Sequence, residues 1–124
     1  MVCHDGIFHL PAMMLQSDDG SGTEDFRGPP YIWENLSELE KWNPARPELL
    51  RKWKTPMLVI HSDRDFRCPV TEGIAAFNTL QALGIESRFV NFPDENHFVL
   101  KEENSLQWHR EVFRWLNKFS GVKL

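Results

Sequence analysis

Apolar residues follow two different rhythms along this chain. Met57-Leu58-Val59-Ile60 is a run of four, closed by His61-Ser62-Asp63, and residues 85–92 read as a second strand ended by Pro93. The continuous run of four marks a strand buried on both faces, as in a parallel sheet. Between them Ile74, Ala75, Phe77, Leu80 and Leu83 recur at helical spacing, which predicts a helix over 71–83 stopped by Gly84. A last helix is expected over 105–119, opened by Asn104 with Gln107 as a capping box. Its expected inner stripe is Leu106, His109, Val112, Phe113, Leu116 and Phe119, with His109 packed rather than catalytic. Nearer the start, Leu36, Leu39 and Trp42 predict a short helix over 34–42, with another helical turn over 48–53.

The resulting order is strand, long loop with helices, strand, helix, strand, helix. Such alternation indicates an α/β fold with a parallel sheet. About three strands make a thin sheet with an exposed edge. Residues 1–6 read as the end of a strand already running where the chain begins. The expectation is therefore an incomplete domain over 1–124, the C-terminal half of a larger open sheet.

Composition narrows the function classes. Of 124 residues, 41% are apolar and 26% charged, the mix of a folded chain rather than a disordered one. A net charge of −4 argues against non-specific nucleic-acid binding, which needs a basic face. The acidic excess is local: residues 1–30 hold five acids against one base, while the remaining 94 residues carry 13 of each. It concentrates in 16–25, a polar Gly/Ser-containing stretch inside an expected acidic loop over 9–30. That loop reads as a solvated segment, with a rim for the amino terminus of a peptide as the alternative. No apolar run is long enough for a membrane span, and residues 1–30 lack the basic and long apolar segments of a signal peptide. Two cysteines cannot form a disulfide scaffold or an all-Cys zinc site.

Candidate chemistry gathers where the strands end, the place where open parallel sheets bind ligands. One strand releases His61-Ser62-Asp63-Arg64-Asp65 and the next Asp94-Glu95-Asn96-His97. A carboxylate after one strand and a histidine after the next suit an Asp65–His97 pair, in which the carboxylate orients an imidazole that takes a proton from a nucleophile. Each residue alone also reads blandly, Asp65 as a turn former and His97 as a surface group. His61, Asp63 and Asp65 make a weak metal set without a clear fourth ligand. His4 and Asp5 are further candidate ligands, read first as a strand end and a cap for the turn at Gly6. The seven serines include no Gly-x-Ser-x-Gly, and neither Cys3 nor Cys68 has a nucleophile context. Cys68 lies near Asp65 and reads as an inert thiol.

Taken together, the segments resemble the C-terminal part of an α/β-hydrolase, and more narrowly the prolyl oligopeptidase family of serine peptidases. The resemblance rests on Cys3-His4-Asp5-Gly6-Ile7-Phe8, Gly28-Pro29-Pro30 with Trp33-Glu34-Asn35, and Glu40-Lys41-Trp42-Asn43-Pro44-Ala45-Arg46. It continues through Thr55 to Asp65, Glu72-Gly73-Ile74-Ala75-Ala76-Phe77-Asn78, Phe92 to His97 and Asn104 to His109. Within the family it points to the secreted fungal dipeptidyl-peptidase type. It implies a Ser, Asp, His order with Asp65 and His97 as the last two members and the serine upstream of residue 1. It also implies a peptide substrate, no cofactor, a missing N-terminal part of the catalytic domain, and a β-propeller that limits access. An extracellular location is implied for the full-length protein, where a Cys3–Cys68 disulfide and glycosylation at Asn35-Leu36-Ser37 become conceivable. His61-Ser62 replaces the family's usual His-Gly. Alternative expectations are an ester-cleaving hydrolase of the same fold and a non-catalytic module acting through its sheet edge.

Overall fold

A computed structural model describes residues 1–18 and 31–121. Most of the expected acidic segment lies outside the described residues, as does Gly28-Pro29-Pro30, where that loop is expected to end. Three strands form the sheet in the order β1 (Val2–His4), β2 (Met57–Ser62), β3 (Ser87–Phe92), and both pairings are parallel. The expected parallel sheet is present, and β2 extends two residues beyond its apolar run. All six β2 residues are buried, because this central strand is covered on both faces.

Alternation along β2 divides the core. Leu58 and Ile60 pack with Val90, Phe92, Val99, Val112 and Trp115, while Met57 and Val59 pack with Leu80. Helix α4 (Val70–Ala82) therefore covers one face and α5 (Glu102–Ser120) the other. Gly84, with φ of 66°, supplies the left-handed residue after α4. A third cluster, Leu10, Met13, Ile32, Leu39 and Cys68, holds α1 (Leu10–Gln16) and α2 (Leu36–Trp42) beside the loop that follows β2. A 3-10 turn over Ile32–Glu34 precedes α2, and α3 is one turn, Pro47–Leu50.

Several expectations need correction. Residues 10–16, assigned to the acidic loop, are helical: Pro11 favours a first turn, and His9 caps it by accepting from the Ala12 N–H. Helix α5 starts before the expected capping box; Lys101 is its N-cap, and Asn104 bonds to Asp94 and Glu95 instead. The inner stripe of α5 is also different. Of the six residues expected, only Val112 is buried, and it packs beside Trp115 with Trp108 partly buried. His109 is exposed, as are Leu106, Phe113, Leu116 and Phe119. The apolar arc of α5 is wider than the face the sheet can cover, and the two tryptophans, seven residues apart, bring the larger apolar area to it.

This placement has a measurable consequence. Trp115→Ala is expected to cost about 3–5 kcal/mol in urea unfolding, whereas Leu106→Ala stays within about 0.5 kcal/mol. Equal losses from the two would return the helix to the orientation its Leu/Phe stripe predicts.

Candidate active site

The site is assembled by backbone before any side chain acts. As β2 ends, the Asp63 N–H donates to the Phe92 carbonyl and the Arg64 N–H to the Glu95 carbonyl, each at 3.1 Å. These bonds join the loop leaving β2 to the loop leaving β3. The Asp65 N–H turns back to the Ser62 carbonyl at 3.2 Å. Asp65 Oδ1 then accepts from the amides of Arg67 at 3.0 Å and Cys68 at 2.8 Å, an Asx-type turn that fixes the carboxylate. Its other oxygen, Oδ2, lies 2.8 Å from His97 Nδ1. The Asp65 side chain is 0% exposed and that of His97 33%. A carboxylate only accepts, so Nδ1 carries the hydrogen and Nε2 keeps the lone pair. The structure thus brings together the two residues that the strand ends suggested.

The His97 loop is held from beneath by Glu95, a residue the sequence reading passed over. It is buried, and accepts from the Leu100 and Lys101 amides at 2.9 Å each and from Asn104 Nδ2 at 2.8 Å. Burial pushes its carboxyl up, but the bonds from Asn104, Lys101 and Leu100 outweigh this and hold it below the ordinary glutamate value. From outside, the Lys101 ammonium bonds to Asp94 and holds that carboxyl low as well. Val99 adopts φ of 49°, a left-handed conformation strained for a β-branched residue. Its side chain is buried among Ile60, Phe92 and Val112, so packing holds the turn that aims His97.

Asp5 enters from the third strand end. Its N–H donates to the Ile60 carbonyl at 3.0 Å, and its carboxylate lies 3.9 Å from both His97 Nδ1 and His61 Nε2. His61 is fully buried; its Nε2 donates to the Cys68 carbonyl at 2.7 Å. A Cβ on Gly73 would come within 2.6 Å of the His61 ring, so α4 can approach β2 here only with glycine.

The metal set foreseen in the sequence changes accordingly. Asp63 is exposed and accepts from Asn91 at 2.9 Å, outside the cluster. Asp5 takes its place, with ligand-type atoms of Asp5, His61 and Asp65 lying within 4.8 Å of one another. His61 Nε2 and His97 Nδ1, however, each face a hydrogen-bond acceptor at bonding distance, the arrangement of shared protons rather than of ligation. Cys3 and Cys68 are free thiols. Burial, with Asp65 and Glu72 adding to it, pushes Cys68 up to about 12, and burial raises Cys3 too. Neither is a thiolate nucleophile at neutral pH.

Residues 1–123 match the model of the prolyl oligopeptidase family. The chain belongs to that family. It is 48% identical over 123 residues to dipeptidyl-peptidase 5 of Aspergillus oryzae, covering 99% of this chain and 17% of the relative. It is likewise 48% identical over 123 residues to dipeptidyl-peptidase 5 of Trichophyton schoenleinii, covering 98% of this chain and 16% of that one. The chain thus spans about a sixth of the length of these curated relatives. Among solved structures, the acylaminoacyl peptidase of Pyrococcus horikoshii superposes with a TM-score of 0.77 at 21% identity, over 94% of this chain and 19% of its own. That likeness concerns the fold, and it places the three-stranded sheet within an α/β-hydrolase, as expected.

The anchoring role of Glu95 predicts a pH dependence. Its carboxyl is held below the unfolded-chain value of about 4.3, so the stability it contributes is complete above that value and declines as pH falls through the folded one. Replacing it by glutamine removes a titrating group, and Glu95→Gln should flatten the acid side of the stability–pH curve measured by urea unfolding. A variant curve parallel to the original would show that Glu95 does not supply the slope.

Proposed function

We propose that this segment supplies the acid–base half of a serine peptidase acting by Ser-Asp-His acyl transfer, in a full-length protein that releases dipeptides from peptide amino termini. The observation that carries this reading is the 2.8 Å contact between the buried Asp65 carboxylate and His97 Nδ1. Asp65 stays ionised and orients the ring. His97 Nε2 takes the proton of an attacking hydroxyl and later gives it to the leaving amine. The dipeptidyl substrate class follows from the names of relatives that are 48% identical. An esterase would use the same pair, and those names favour the peptide.

The nucleophile, its oxyanion donors and the access-limiting β-propeller belong to the part of the parent protein that this chain does not include. The chain by itself is inactive in this reading. The outer edge of β1 and the exposed arc Leu106, Phe113 and Leu116 of α5 are then the surfaces on which the preceding part of the domain packs. A secreted parent rests on the resemblance to secreted fungal peptidases. Among the described residues no helix is long and apolar enough to cross a membrane.

Two measurements test the proposal. The purified 124-residue chain should take up no fluorophosphonate label; clear labelling would show a reactive serine within it. A chimera of the Aspergillus oryzae relative carrying this chain in place of its matching segment should hydrolyse a dipeptidyl anilide. In it, Asp65→Asn should lower kcat by about 10⁴-fold, because its amide donor faces Nδ1 and enforces the wrong imidazole tautomer, as in the Ser-His-Asp triad. An active chimera indifferent to changes at both Asp65 and His97 would refute the assignment.

A further inference from the structure

We propose that Asp5 is a second carboxylate for His97, a positioning residue that shares the Nδ1–H with Asp65; the inference rests on reading His97 as the general base. The three parallel strands deliver three groups to one end of the sheet: Asp5 after β1, Asp65 after β2 and His97 after β3. The Asp5 side chain is 4% exposed, yet among the described residues neither of its oxygens has a hydrogen-bond partner. Its backbone sits at φ of 50°, which aspartate tolerates better than most residues but does not prefer. The Ile60 carbonyl pins its N–H, and a Cβ on the next residue, Gly6, would fall 2.3 Å from Cys3 Sγ. Backbone and neighbours thus hold a desolvated carboxylate against the site, although it makes no bond there that would account for its burial.

Among the described residues, the charged and titratable groups around it are the imidazoles of His4, His61 and His97, the Asp65 carboxylate, and the Cys3 and Cys68 thiols, both of which stay neutral because burial raises them. His4 Nε2 is 2.8 Å away but misaligned for a hydrogen bond, and its side chain is 27% exposed. His61 Nε2, at 3.9 Å, already has the Cys68 carbonyl at 2.7 Å. His97 Nδ1 is also at 3.9 Å, from Oδ2, and it is the ring that becomes cationic when it accepts a proton from a nucleophile. A positive charge there lies beside two buried carboxylates, and both favour it. A rotation of the Asp5 carboxylate would close the gap to hydrogen-bond distance if the Asp65 oxygen were withdrawn. The two acids on adjacent strands are therefore partly redundant in fixing the imidazole tautomer.

Imidazole ¹⁵N shifts read through carbon-bound protons report that tautomer for the neutral ring in the 124-residue chain. Nδ1–H is expected to be the main form of His97 in the unaltered chain, in Asp5→Asn and in Asp65→Ser, and to give way to Nε2–H only in the double variant. Serine is chosen because it retains an acceptor for the Arg67 and Cys68 amides without placing an amide donor against the ring. Asp65→Ala is the second variant should the serine form lose its native amide spectrum. Loss of Nδ1–H on changing Asp65 alone would overturn the role of Asp5 while leaving the Asp65–His97 pair intact. A predominant Nε2–H form in the unaltered chain would overturn the pair itself.

Discussion

A carboxylate removed from water must be satisfied from within, and at Asp65 this requirement shapes the whole end of the sheet. One oxygen takes two amide N–H groups of its own loop, which leaves the other committed to whatever donor the next loop brings. That donor is His97, thirty-two residues further on. An imidazole bonded through Nδ1 to a fixed carboxylate has its tautomer and orientation set before any substrate arrives. In the proposed peptidase this preorganisation would be a by-product of a buried charge finding its hydrogen bonds.

The sheet makes the meeting possible. Parallel register pairs His61 with Asn91 and Ser62 with Phe92, so β2 and β3 end at the same level and release their loops side by side. Two cross-loop amide bonds then remove the freedom that remains. Strain is concentrated at the outer members: Asp5 and Val99 both hold positive φ, one at the end of β1 and the other just beyond His97. Each is held by burial rather than by local preference, Val99 in the core that α5 covers and Asp5 under the imidazoles.

The same layout shows how the chain is specialised. α4 and α5 cover the two faces of β2, and Gly73 allows the closest approach at His61. The β1 side is different, for among the described residues its outer edge has no partner strand, and α5 presents Leu106 and Phe113 to solvent. Membership of the prolyl oligopeptidase family, with about a sixth of the relatives' length, gives both surfaces a role in the proposed parent protein.

What the sequence determined by itself was whatever depends on local pattern. Four apolar residues before His61 specify a buried strand, and the polar groups following two such strands locate Asp65 and His97 at one end of a parallel sheet. The tertiary structure alone decided which residues meet. The wide apolar arc of α5 fits more than one rotation, and only packing selected Trp108, Val112 and Trp115 over the Leu/Phe stripe. Glu95 reads as one more acid in a polar turn until its amide partners are seen. Asp5, at the end of the first strand, lies sixty residues from Asp65 and reveals nothing in sequence of their shared surroundings. The reason is physical: periodicity records which way a side chain points along its own element, whereas hydrogen-bond satisfaction of buried charge is settled between elements.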